Sequence, residues 1–106
     1  TLYVWTNDNG SPVSVGGSNH PLRGGKGSDW EGGTRVPTFV TGGLLPASQV
    51  GKTTDGIVHI CDWHVTILKL AGLDPVVGEP DAPAPLDGID VWPLVSGAVN
   101  DSPRKE

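Results

Sequence analysis

Leu22-Arg23-Gly24-Gly25-Lys26-Gly27-Ser28-Asp29-Trp30-Glu31-Gly32-Gly33-Thr34-Arg35-Val36-Pro37 places five glycines between positions 24 and 33. Each glycine loses more backbone entropy on ordering than any other residue, so this run is a poor helix and a poor strand. What glycine offers instead is positive φ and room for another group to approach the main chain. The run therefore reads as a tightly wound loop that carries one cation, Lys26, toward a bound anion, with Trp30 as its packing anchor.

Upstream, Thr1-Leu-Tyr-Val-Trp5 is a β-prone run without polar alternation, the pattern of a parallel core strand covered on both faces. Asp8 and Asn9 follow its end, where ligands gather in open α/β sheets. From Gly10 to Gly27, Ser11-Pro12, Gly16-Gly17-Ser18-Asn19 and His20-Pro21 punctuate a long loop of the kind that usually serves function. Downstream, Val36 to Val40 reads as a second strand closed by Gly42-Gly43.

Residues 44 to 56 read as a surface connection and Ile57 to Ile60 as extended. A helix follows, with Asp62 as N-cap, apolar spacing through Ile60, His64, Ile67 and Ala71 or through Trp63, Ile67 and Leu70, and Gly72 as its stop. Glu79 to Pro85 has the composition of an extended linker. Pro93-Leu94-Val95 suits one helical turn, and Asn100 to Glu106 is polar and expected at the surface.

The 106 residues are 36% apolar, with 16 glycines and 10 prolines, so a sizeable core is hard to build. A formal charge of −5 without a basic stripe argues against nucleic acid. No apolar run approaches the roughly 20 residues of a membrane span. Cys61 is the single cysteine, expected as a small buried apolar residue, and permits no internal disulfide. The abrupt beginning and end are expected of a piece of a larger protein.

Asp8-Asn9-Gly10, then Leu22-Arg23-Gly24-Gly25-Lys26-Gly27, then Trp30-Glu31-Gly32-Gly33 with Arg35 and Val36-Pro37, occur in an order and spacing that resemble the sulfatase family, especially the arylsulfatases. The similarity continues through Asp62-Trp63-His64-Val65-Thr66-Ile67-Leu68, Leu70-Ala71-Gly72, Leu86-Asp87-Gly88 and Pro93-Leu94, and so covers nearly the whole chain. The resemblance implies an α/β, alkaline-phosphatase-like fold, here a C-terminal portion with mostly parallel strands, long glycine-rich loops and one clear helix. Residues 1–43 would hold the metal and sulfate site, 44–75 the connection and helix, and 76–106 a proline-rich segment and tail.

By the same resemblance, Asp8 and Asn9 are ligands in half of a Ca²⁺ site, with Mg²⁺ as the other candidate, and Lys26 contacts the substrate sulfate as a catalytic and substrate-binding group. The substrate would be a small sulfate ester or a sulfated glycan, and the setting secreted or lysosomal. The family motif Cys-x-Pro/Ala-x-Arg, whose cysteine becomes formylglycine, is absent, because Cys61 is followed by Asp62-Trp63-His64-Val65. The nucleophile is expected in an N-terminal part outside these residues, and the isolated chain is expected to be inactive.

The residues on their own leave plainer readings open. Asp-Asn-Gly is more often a turn than a ligand pair. Asn9-Gly10-Ser11 is also a glycosylation sequon, a role that excludes metal ligation; the resemblance favours the metal. Asn100-Asp101-Ser102 is a second sequon, followed by Pro103. His20 shares the loop with Lys26 and is placed at the pocket mouth as a substrate-binding residue, though an exposed loop histidine is the commoner case. His59 and His64 read as structural, and Arg23, Glu31 and Arg35 as ion-pairing residues that hold the loop. A phosphatase or phosphonate-ester hydrolase of the same superfamily, or a non-catalytic anion- or glycan-binding module, are the rival functions.

Overall fold

The glycine-rich excursion returns the chain to the strand it left, which fixes the topology of the first half. In the computed structural model, which describes residues 1–75 and 86–105, β1 (Leu2–Thr6) pairs with β2 (Thr38–Gly42) in antiparallel register, from Leu2 opposite Gly42 to Thr6 opposite Thr38. The expected parallel core strand is thus corrected in two respects. Its partner runs the opposite way because the intervening loop closes on itself, and Tyr3 and Trp5 are exposed while Leu2, Val4 and Thr6 are half-buried. Trp5 stacks on Phe39 across the strands with ring centroids 5.3 Å apart, and the Thr38 hydroxyl bonds to that of Thr6 at 2.7 Å.

Between the strands lies one helical turn, α1 (Glu31–Thr34), with Gly32 and Gly33 buried inside it. Sequence propensity argues against a helix there. Packing overrides it, since both glycines lie where a side chain would not fit. These elements belong to a compact unit spanning Thr1–Leu44; Leu45–Glu106 forms a second.

The second unit is built on α2 (Asp62–Leu70), which ends at Ala71 and Gly72, the latter at φ 75° as the stop signal requires. Its buried side is Asp62, Trp63, Val65 and Thr66, whereas Ile67, central to the expected apolar stripe, is exposed. Val65 and Trp63 join Val91 and Leu94 in a small core, and the Thr66 hydroxyl accepts a hydrogen bond from the Val91 amide at 3.0 Å. α3 (Trp92–Val95) is the single turn expected at Pro93. The proline-rich 79–85 segment lies outside the described residues.

Asp62 is not the N-cap; Cys61 holds that position, and the Asp62 carboxylate instead gathers main-chain amides and the Arg104 guanidinium. It accepts from the His59 amide at 2.7 Å, the Ile89 amide at 2.8 Å, and Arg104 Nε and Nη2 at 2.8 and 2.6 Å. Arg104 Nη2 also donates to the Asp87 carbonyl at 2.8 Å. The tail is therefore docked and not simply exposed: Ser102 is buried, donates to the Ile57 carbonyl and accepts from the Arg104 amide. Cys61 is half-buried, with Sγ 2.9 Å from His59 Nδ1, which corrects its expected apolar burial.

Burial raises the Asp62 carboxyl, but the Arg104 hydrogen bond and the Ile89 and His59 amides outweigh it and hold it below the ordinary value of 3.8. A depressed folded value contributes stability that is complete above the unfolded value and is lost as pH falls through the folded one. Asp62→Leu is expected to lower the Tm of the chain at pH 7 by roughly 10 °C or more. The gap from the unsubstituted chain should narrow below about pH 4. Tm measured against pH checks this; parallel curves would refute it.

Candidate functional site

The mouth of the loop between β1 and β2 is closed by one main-chain bond, from the Gly10 amide to the Gly33 carbonyl at 2.9 Å. That approach requires bare backbone. A Cβ on Gly10 would collide with the Gly32 carbonyl, and one on Gly33 with the carbonyls of Ser28 and Gly25. The Gly32 amide donates to the Arg23 carbonyl at 2.7 Å, which ties α1 to the start of the glycine run.

Inside the mouth, Asn19 joins both limbs of the loop. Its Oδ1 accepts from the Ser11 amide at 2.7 Å, and its Nδ2 donates to the Ser11 carbonyl at 2.9 Å and the Gly24 carbonyl at 3.1 Å. The Lys26 amide donates to the same Ser11 carbonyl at 3.2 Å. Lys26 thus sits in a turn, with Gly27 at φ 86°, whose main chain is bonded two residues beyond Asn9. The Ser28 hydroxyl closes the turn through the carbonyl and amide of Gly25 at 2.8 and 3.1 Å.

Lys26 and His20, both exposed, line one cleft of about 610 Å³ together with Val13, Ser14, Asn19 and Leu22. The structure brings these two candidates together. Asp8 and Asn9 lie on the bend after β1 and are not part of that lining. Asp8 is exposed, Asn9 is half-buried, and neither side chain makes a hydrogen bond among the described residues. Both present hard oxygen donors of the kind Ca²⁺ and Mg²⁺ take. Among the described residues no cluster of three or more His, Cys, Asp or Glu side chains is placed to hold a metal ion.

The flanking charged residues act on the loop. Arg35 pairs with Glu31 at 3.3 Å, an exposed contact of small energetic weight. Arg23 does not join them; its guanidinium lies 3.8 Å above the Trp30 ring. Trp30 is half exposed, and packs where a Cβ on Gly24 would otherwise go. Asn19 lines the same cleft, although in the sequence it reads only as turn punctuation. An asparagine three residues before the Leu-Arg-Gly-Gly run gives no periodic signal, and its bonds are to main chain.

No family model matches the chain. Individual relatives do match. Arylsulfatase J of Mus musculus is 40% identical over 104 residues, covering 98% of this chain and 16% of that protein. Steryl-sulfatase of Mus musculus is 36% identical over 116 residues, covering 100% and 17%. N-acetylgalactosamine-6-sulfatase of Sus scrofa is 34% identical over 109 residues, covering 97% and 19%. By its sequence the chain belongs to the sulfatase family. It spans less than a fifth of the length of these relatives. Membership implies the alkaline-phosphatase-like α/β architecture, of which the described residues hold one antiparallel strand pair and short helices. No helix among the described residues is long and apolar enough to cross a membrane.

The bare-backbone mouth makes a sharp prediction. Gly10→Ala and Gly33→Ala should each destabilise the chain by about 1–3 kcal/mol through backbone collision. Gly43→Ala, which meets nothing within 4 Å, should stay within about 0.5 kcal/mol of the unsubstituted chain. Denaturant midpoints decide it, and equal costs at all three positions would contradict the packing described.

Proposed function

We propose that the protein carrying this chain hydrolyses sulfate esters, with Lys26 binding the sulfate and Asp8 and Asn9 serving as ligands of a Ca²⁺ ion. The single observation that carries the reading is the pinning of the Lys26 turn to Ser11, directly beyond the Asp8-Asn9 bend, in a chain whose relatives are sulfatases.

In this reading the ammonium group of Lys26 holds sulfate oxygens and stabilises negative charge that grows on the ester as its S–O bond breaks. At roughly 4 Å and an effective dielectric near 20, such a cation is worth about 4 kcal/mol against a unit negative charge. His20, on the same cleft, contacts the remainder of the ester. The side-chain oxygens of Asp8 and Asn9, unbonded among the described residues, supply two of the roughly 6–8 oxygens that Ca²⁺ takes, and the others come from residues outside this chain. When bound, Ca²⁺ supplies positive charge to the sulfate, and a formylglycine outside these residues supplies the attacking oxygen. The substrate class is a small sulfate ester or a sulfated glycan, in a secreted or lysosomal setting. The names of the matched relatives favour sulfate over the phosphatase alternative and over a non-catalytic module.

In the full-length protein, Lys26→Ala is expected to lower kcat/KM on an aryl sulfate by about 100-fold or more. Removal of Ca²⁺ by a chelator should abolish turnover, and restored Ca²⁺ should recover it in the unsubstituted protein but far less in Asp8→Ala. Activity indifferent to both Lys26 and chelation would overturn the reading. The isolated 106-residue chain should show no turnover on the same ester; Ca²⁺-dependent multiple turnover by it would contradict the assignment of the nucleophile elsewhere.

A further inference from the structure

We infer that Asn19 is a positioning residue for Lys26, acting by fixing where the lysine's main chain begins. The inference rests on the proposed role of Lys26 in binding sulfate and extends it to a residue that touches no substrate.

Asn19 bonds like a short piece of β-ladder. Oδ1 and Nδ2 engage both the amide and the carbonyl of Ser11, at 2.7 and 2.9 Å, so the side chain reads the main chain from both polar ends. The second Nδ2 hydrogen reaches the Gly24 carbonyl at 3.1 Å and spans the two limbs of the loop. The Lys26 amide then bonds to the Ser11 carbonyl that Asn19 already holds. Gly25 fits between them without a side chain, since a Cβ there would lie 2.6 Å from the Ser11 carbonyl oxygen and 2.9 Å from Asn19 Nδ2.

Among the described residues, the ladder bonds between β1 and β2 stop at Thr6 and Thr38. Lys26 itself has a flexible stem and an exposed side chain, so its placement over an anion depends on the main chain beneath it. Aspartate, of equal reach, lacks the two donors these three bonds need, and glutamine carries the amide one methylene too far. A shift of about 1 Å in such a group is enough to cost roughly 100-fold in rate.

A double-mutant cycle in the full-length protein tests this, read as kcat/KM on an aryl sulfate and as the inhibition constant of inorganic sulfate, with Tm recorded for every variant. Asn19→Ala is expected to weaken sulfate inhibition about tenfold or more in the protein that retains Lys26, and to have no further effect in the Lys26→Ala background. Asn19→Asp, which keeps one acceptor and loses both donors, should show the same dependence on Lys26. Equal costs in both backgrounds would overturn the inference and leave Asn19 a purely structural residue. Failure of both Asn19 variants to fold would overturn it as well, since a group that only places one side chain leaves the fold standing. If Lys26→Ala by itself changes neither readout, the proposed role of Lys26 fails first, a result distinct from additivity at Asn19.

Discussion

Main chain packed directly on main chain is the constraint on which the first unit depends. The carbonyls of Gly32, Ser28, Gly25 and Arg23 occupy the space that side chains on Gly10, Gly33 and Gly32 would fill. This contact lets a long irregular excursion leave β1 and return as β2 in antiparallel register. Composition that lowers helix and strand propensity is thereby the composition that lets the loop pack main chain against main chain. Apolar burial contributes little here, because Tyr3, Trp5 and Phe39 remain about half exposed.

The second unit solves the same shortage of apolar material with a charge. Its buried apolar side chains are few, and Asp62, wholly buried, links the start of α2 to the 86–90 segment and the tail through the Ile89 amide and Arg104. A carboxylate in that position is held ionised by its donors, so it orders three stretches of chain and carries no free proton chemistry. The titratable groups of the proposed site, Lys26, His20 and Asp8, lie in the first unit.

Much of this was legible before the structure. The glycine run announced a wound loop around Lys26; Gly72 marked the end of α2, and Pro93 the start of α3. What was not legible depends on partners distant in sequence. Asp62 has the look of an N-cap, yet it serves an arginine 42 residues away. The 100–106 tail is polar in composition, but the specific donors of Arg104 and Ser102 dock it. Ile67 fits a helical apolar stripe that the chain does not bury, because Thr66 and Asp62 take the inward positions through hydrogen bonds. Strand direction was missed for the same reason: a periodic pattern reports burial, while direction is set by how the loop closes.

The proposed site has two parts that are close along the main chain and separate as surfaces: a cleft carrying Lys26 and His20, and a bend carrying Asp8 and Asn9. Between them, Ser11 accepts the Lys26 amide and is bonded at both its amide and its carbonyl by Asn19. A crystal structure of the full-length protein grown with Ca²⁺ and inorganic sulfate tests that convergence most directly. The expected result is the ammonium nitrogen of Lys26 in hydrogen-bond contact with the sulfate, and oxygens of Asp8 and Asn9 on a cation that touches the same sulfate. A sulfate bound without Lys26, or a lysine directed away from a cation held by Asp8 and Asn9, would contradict it.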